Sequence, residues 1–428
     1  MAYEQENKPN RRRSGQRRRR QSPRYPYLLP VILAAAVLIA AVVLLIIVVQ
    51  PGSSPATTEP SVLQTQPTQT TPTDTPTEPK TVITLAFGGD VNITDKVVAA
   101  GKHGDSFDYS DVFLDIAPVL AGADAAVINL EGNIYGPPYG TDSNSAPREL
   151  LNALSAAGVD FVQMANSCTI NNGLTGLRQT LSSIRQAGME PLGAYANNEE
   201  FEQNRGFTLK SINGVKVAFV AFTKGMDGLS LPQGSEHCVN LLYKDYTSTY
   251  SEIDKEGITA ILQDIALEQP DVTIAMLHWG SAYNGIVSES QKEIVKLMQQ
   301  EGVDAIIGNH SHYVQTVEYD PAGNTLVAYS LGDLLGDAEK HNTNASTILQ
   351  LEITKDNTTG ETTISGYDHT PVYIATPEAD GIARARIYRI REAMAAFEAN
   401  SIRKISEDTY TAMKSALSRI IARVKPEK

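Results

Sequence analysis

From Thr81 onward, apolar runs of strand length alternate with amphipathic segments of helix length, and this alternation sets the fold class before any motif is considered. "TVITLAFGGD", "DAAVINLEG", "VDFVQMAN", "VKVAFVAF", "DVTIAMLHWG" and "VDAIIGNHSH" read as buried strands. Between them, "DVFLDIAPVLAGA", "RELLNALSAAG", "GLTGLRQTLSSIRQAG", Ile253 to Glu268 and Ser288 to Glu301 read as helices. Later, "QTVEYDPAGNTLVAYSLGD" and "STILQLEITKDNTTGETTISGYDHTPVYIA" read as antiparallel hairpins that turn at Pro-Ala-Gly-Asn and Asn-Thr-Thr-Gly. The chain from Pro377 to Lys428 reads as a charged helical tail. The expectation is a layered α/β body over residues 81–376.

What precedes that body is a different material. Leu28 to Val49 is uncharged and apolar, long enough for a hydrocarbon core that needs about 20 residues at helical rise. It is longer than the roughly 7–15 apolar residues of a cleaved signal peptide and ends in bulky side chains, so it reads as an uncleaved transmembrane helix. Residues 1–27 form a basic tail. Within residues 1–25, Lys8 and eight arginines face Glu4 and Glu6, a net of +7, which leaves −20 for the rest of a chain whose total is −13. Beside a spanning segment, such a tail favours a cytoplasmic N-terminus and an extracytoplasmic body at the cell membrane. The acidic remainder argues against nucleic acid as the main partner. Residues 50–80 are dominated by Thr, Pro, Gln and Ser and read as a disordered stalk that buries no core. The two cysteines, Cys168 and Cys238, make no disulfide framework, although they could pair.

Polar residues stand at the ends of the predicted strands. Asp90 closes "GGDVN", Asn129 and Glu131 close "INLEGN", and Asn166 opens "ANSCTINNG". His278 and Trp279 follow another strand, and Asn309, His310 and His312 lie in "GNHSH". Ligands bind beyond the carboxyl ends of strands in open α/β sheets, so several loops can together furnish a site that none supplies alone. Carboxylate, amide and imidazole donors suit Mn, Fe or Zn. Taken singly, each piece has a plainer reading: Asp90 as a turn residue, His278 as a core histidine, His310 and His312 as members of a polar loop.

In this order the same pieces resemble the CapA family of poly-γ-glutamate capsule biosynthesis proteins. The resemblance covers Ile83 to Tyr373. "FGGDVNI", "INLEGNI", "HWGSAYN", "GNHSHYVQ" and "YSLGDLL" are each similar to a motif of that family. It implies a metallophosphatase-like layered αββα body, here with C-terminal antiparallel hairpins. It also implies one or two divalent cations at Asp90, Glu131, Asn166, His278, His310 and His312, with Asn129, Trp279 and Asn309 on the substrate side. Where the family has Ala-Asn-Asn-His and a following Asp, this chain has Ser167, Cys168 and Asn171. Ala282 replaces a Glu, and Asp333 replaces an Asn. With Cys168 at the family's histidine position, no catalytic residue is assigned.

Two readings follow from the resemblance. One is a membrane-anchored component of capsule or poly-γ-glutamate synthesis with a degenerate phosphoesterase-like site. The other is an inactive module of that fold that binds an anionic envelope polymer or the capsule synthase subunits. The expected topology is tested by adding protease to intact cells. It should trim the stalk and spare an N-terminal tag, and loss of the tag from outside would reverse the orientation.

Overall fold

A computed structural model describes residues 79–401 and 405–425. The basic tail, the apolar run Leu28 to Val49 and nearly all of the stalk lie outside the described residues. Among the described residues, no helix is long and apolar enough to cross a membrane.

Two sheets make up the body. The strands used below are β1 (Lys80–Asn92), β2 (Ala125–Glu131), β3 (Phe161–Gln163), β4 (Glu190–Leu192), β5 (Phe207–Ile212), β6 (Val215–Thr223) and β7 (Val272–His278). They continue with β8 (Ala305–Asn309), β9 (Val317–Asp320), β10 (Thr325–Ala328), β11 (Asp333–Leu335), β12 (Ala345–Asp356), β13 (Thr362–Ala375) and β14 (Arg386–Arg389). The first sheet runs β14-β13-β12-β1-β2-β3-β4, with β11 also paired to β1. The second runs β9-β10-β8-β7-β6-β5. The central strands β1 to β4 and β6, β7, β8 and β10 are parallel, which brings their carboxyl ends to one edge of each sheet.

Side-chain alternation explains the layering. In β6, Val217, Phe219 and Ala221 join the core shared with the first sheet, while Ala218, Val220 and Phe222 join a separate core. Strand β7 divides in the same way, with Ile274 and Met276 on one face and Ala275 and Leu277 on the other. Phe161 of β3 meets Phe219 of β6 at 4.8 Å between ring centroids, which fixes the two sheets face to face. The outer face of the second sheet is covered by α3 (Lys255–Leu267) and α4 (Glu289–Gln300), after α1 (Glu149–Ala156) and α2 (Gly173–Gln186) have packed near the first. Helix α4 starts with a capping box in which Ser288 and Gln291 satisfy each other's backbone N–H groups. It buries Ile294, Val295 and Met298, side chains that each contribute about 1.5–3 kcal/mol when removed from water.

The C-terminal region departs from the helical expectation. It contains α5 (Ile390–Glu398) and α6 (Glu407–Arg423), but also β14, which extends the first sheet. Met413, Ala416 and Ile420 of α6 enter the main core, so this segment packs as part of the body. The expected first hairpin also divides: β9 and β10 pair in the second sheet, and the next residues cross to β1 as β11. Periodicity reads apolar runs well but says nothing about which sheet they join. The segment read as one helix around Val112 forms two four-residue helices, Ser110–Phe113 and Ala117–Leu120.

One crossing positions the site. Pairing of β1 with β2 shifts register between Phe87 and Asp90, and here β1 exchanges β12 for β11 as its neighbour. Asp90 N donates to the Gly332 carbonyl at 3.0 Å. A Cβ on Gly89 would stand 1.7 Å from that oxygen, so no larger residue fits. Gly89→Ala should therefore destabilise the full-length protein by about 2–4 kcal/mol in urea unfolding. Gly366→Ala, where a Cβ meets nothing within 4 Å, should change stability by no more than about 0.5 kcal/mol. Equal effects would show that the approach of β1 to Gly332 does not hold the fold.

Candidate functional site

The site is built where the carboxyl edges of the two sheets meet. Ladder register sets its rows: Asp90 pairs with Asn129 on one side and Asp333 on the other, while His278 pairs with Thr223 and Asn309. Asp90 is fully buried. Its Oδ1 accepts from Asn129 Nδ2 at 2.6 Å, and its Oδ2 accepts from the backbone N of His310 at 3.1 Å. The second bond joins the two sheets.

Two groups of donors emerge, each with its ligand atoms within 4.8 Å of one another: Glu131, His278 and His310, and Asp90, His312 and Asp333. Within the first, Glu131 Oε1 lies 3.3 Å from His278 Nε2, and the rings of His278 and His310 are 4.5 Å apart. Within the second, His312 Nδ1 lies 2.7 Å from Asp333 Oδ1. Glu131 Oε2 and His310 Nδ1 are buried with no hydrogen-bond partner. A buried carboxylate oxygen and a buried imidazole nitrogen without partners are costly unless a further group satisfies them, and a nitrogen-and-oxygen donor set fits a divalent cation. His310 and His312 also hold φ angles of 91° and 57°, a conformation that strains residues with a Cβ and recurs at functional sites.

Electrostatics divide the cluster. Burial pushes the Asp90 carboxyl up to about 7, helped by the neighbouring Glu131 charge and opposed by His312 and the bonds from Asn129 and His310. Burial likewise raises Glu131, and raises Asp333 to about 7 against the pull of His312. His278 and His310 are held well below the ordinary imidazole value, mainly by burial and then by neighbouring positive charge, so both are neutral as ligation requires. His312 behaves oppositely. Burial alone would lower it, but the hydrogen bond and charge of Asp333, with Glu131 and Asp90, raise it to about 10.

The remaining sequence candidates divide between the cluster and its surroundings. Asn129 sits inside it, bonded to Asp90 and 3.4 Å from His278 Nδ1. Asn166 is buried beside it, donating to Asn129 Oδ1 at 3.0 Å and to the Leu130 carbonyl at 2.7 Å, while its Oδ1 accepts from Cys168 N. It orients Asn129 from outside both donor groups. Asn309 donates to Gln163 Oε1 at 3.2 Å, and its own Oδ1 is buried without a partner. Trp279 is not brought to the cluster: its indole N–H donates to the Tyr329 carbonyl at 2.9 Å within the core under α3 and α4.

At the positions that depart from the family motifs, Ser167 Oγ lies 2.9 Å from His278 Nε2. The Cys168 thiol is buried and held well above its ordinary value by burial and by the Glu131 and Asp227 charges. Asn171 and Ala282 are exposed. Cys168 and Cys238 are separate free thiols. Asp333 entered the sequence reading only as a replaced residue, yet it completes the second donor group. Its position after "YSLG" was visible, but its parallel pairing with β1 was not. Sequence reading also missed Lys224, whose Nζ donates to the Gly280 carbonyl at 3.0 Å and whose charge reaches Glu131.

A two-sheet α/β sandwich with buried histidines and carboxylates at the joined sheet edges is the class that fold and site define. The family model described as bacterial capsule synthesis protein PGA_cap matches residues 84–338, and the chain belongs to that family. It is similar to the capsule biosynthesis protein CapA of Bacillus anthracis, 23% identical over 296 residues, covering 65% of each chain. That match thus spans about two thirds of the relative's length. It is also similar to the PGA biosynthesis protein CapA of Bacillus subtilis strain 168, 22% identical over 306 residues, 69% of this chain and 73% of the other. Among solved structures, a novel phosphatase from Mycoplasma pneumoniae is 14% identical, with a TM-score of 0.43 over 68% of this chain and 94% of that one.

The His312–Asp333 contact has a direct test in metal-free protein. The folded state holds the His312 proton more tightly than the unfolded chain does. The contact therefore contributes stability that is full below the ordinary imidazole pKa and lost as pH rises through about 10. Asp333→Asn keeps an acceptor but removes the charge, and should lower the His312 pKa, read by imidazole NMR, by about 2 units or more. An unmoved titration would mean that Asp333 does not hold the proton on His312.

Proposed function

We propose that this chain is a membrane-anchored component of the machinery that makes poly-γ-glutamate or a similar anionic capsule polymer, with a divalent-cation site on its extracytoplasmic body. The observation that carries the cation is the pair of donor groups, in the first of which Glu131 Oε2 and His310 Nδ1 are buried and unpartnered. Glu131, His278 and His310 would hold one ion, and Asp90, His312 and Asp333 a second. A cation bound there supplies Lewis-acid polarisation and charge neutralisation for an anionic oxygen of the substrate. Mn, Zn and Fe suit the donor set.

The chain's own residues prepare that site. Asn129 and the His310 backbone N–H hold both oxygens of Asp90, fixing the carboxylate across the two sheets. Asn166 holds Asn129. Ser167 faces His278 Nε2 with a neutral hydroxyl, and Lys224 brings a positive charge towards Glu131. The basic tail and apolar run support anchoring with the body outside.

A second reading keeps fold and cation and drops turnover. The observation that favours it is Cys168: a buried thiol held in its protonated form is a poor proton donor to a leaving alkoxide. In that reading the body binds the polymer or the synthase subunits.

Both readings are tested on one set of full-length proteins. His310→Ala with His312→Ala should remove bound Mn or Zn measured by elemental analysis, because it deletes most of the nitrogen donors. Ser167→Asn with Cys168→His should raise phosphodiesterase activity by about 10²–10⁴-fold if the restored histidine serves as general acid. No gain with metal still bound favours the binding module, and no metal in the unmutated protein removes both readings.

A further inference from the structure

We infer that the cavity between α6 and the loop after His312 is a binding site for a carboxylate or phosphate group of an acidic chain, seated next to the histidine–carboxylate cluster. The inference rests on the polymer reading above only for the identity of the chain; the cavity argument is independent of it. The cavity measures about 280 Å³. Arg419 and Arg423 of α6, Asn284, Ile286, Tyr313 and Asn342 are among its lining residues.

Position ties it to the cluster. Tyr313 follows His312, and Asn284 follows Tyr283, whose ring stacks on His312 with centroids 4.6 Å apart. Lys340 Nζ lies 3.2 Å from the centre of the same Tyr283 ring. One lining residue, Tyr313, is therefore the direct chain neighbour of a proposed cation ligand.

Charge identifies the ligand. Arg419 and Arg423 are one helical turn apart, where like charges oppose each other by about 0.2–0.5 kcal/mol. Among the described residues neither Arg419 nor Arg423 forms an ion pair, although both line the same cavity. Arg423 instead donates to the Val314 carbonyl and packs so close to Gly285 that a Cβ there would stand 2.9 Å from its Nη2. Arg419 has no hydrogen-bond partner among the described residues, and burial together with the Arg423 charge disfavours its cationic form. An anion shared by the two guanidinium groups removes that repulsion and offers the paired oxygens that Arg recognises best.

The overall charge sharpens the argument. A chain that carries −20 beyond its basic tip repels an acidic polymer at long range, so contact needs a local patch of positive charge. The 75% exposed Ile286 at the lip supplies apolar surface for the methylene groups between successive acidic groups. At about 280 Å³ the cavity has room for one acidic group and its immediate chain.

The test uses full-length protein in detergent, with a chelator present throughout so that no cation bridges protein and polymer. Fluorescence anisotropy of labelled γ-linked glutamate oligomers should report binding by the unmutated protein. Arg419→Gln should weaken it by about 5–20-fold, since one partly exposed charge-assisted contact is lost, and Arg419→Lys should recover part of the loss. Asn342→Asp, which adds a negative charge without touching α6, should weaken it as well, with melting temperature unchanged in both variants. Competition by inorganic phosphate supports a site that reads any small oxyanion, and oligomer binding that phosphate does not displace supports a carboxylate-chain site. Binding that is equal in all variants, or absent from the unmutated protein, overturns the inference. So does binding that appears only when Mn is restored, which leaves the cation cluster standing without the arginine cavity. Metal content of separate preparations purified without chelator should be the same in Arg419→Gln and the unmutated protein, so that loss of this site is distinguishable from loss of the cluster.

Discussion

Everything at the site depends on a single buried carboxylate that is held from both sheets. Asp90 leaves β1 at the register shift beside Gly89, takes one hydrogen bond from Asn129 of its own sheet and one from the His310 backbone of the other. An isolated carboxylate in that position is strongly disfavoured as an anion, which is why burial lifts it towards neutral pH. The two hydrogen bonds offset part of this cost, and a cation in the proposed position offsets more. The carboxylate is therefore the joint between the sheets and a member of the second candidate donor group.

Around that joint the cluster is electrostatically uneven. One group pairs a raised carboxyl, Glu131, with two neutral imidazoles, His278 and His310. The other pairs His312, which keeps its proton, with the carboxyl groups of Asp90 and Asp333. A cation at the second group would have to displace the His312 proton, so its binding would weaken as pH falls. Ser167 and Cys168 leave a hydroxyl and a protonated thiol where the resemblance implies an amide and an imidazole, and neither belongs to the two donor groups.

The strained φ angles of His310 and His312 belong to the same design. Two residues with Cβ atoms in that conformation cost about 1–3 kcal/mol each, and the surrounding contacts hold them there. The bond from His310 N to Asp90, the Asp333 contact of His312 and the Tyr283 ring against His312 supply those contacts. Beyond Tyr283 the chain opens into the arginine-lined cavity, which puts cationic side chains beside an otherwise acidic body.

The sequence by itself determined the layered α/β class, most of the strands and long helices, and the residues Asp90, Glu131, His278, His310 and His312 as a candidate set. Hydrophobic periodicity is local, and polar residues just after apolar runs are visible without coordinates. Tertiary structure alone decided which sheet each strand joined. Strand β14 inside an apparently helical tail and the division of one expected hairpin between two sheets both depend on long-range pairing. It also decided that Asp333 completes the second donor group, through its parallel pairing with Asp90, and that Trp279 belongs to the core beneath α3 and α4. The reason is geometric: a strand alternates its faces every residue, so His278 and Trp279 diverge, whereas residues 243 positions apart can pair only once the sheet has formed.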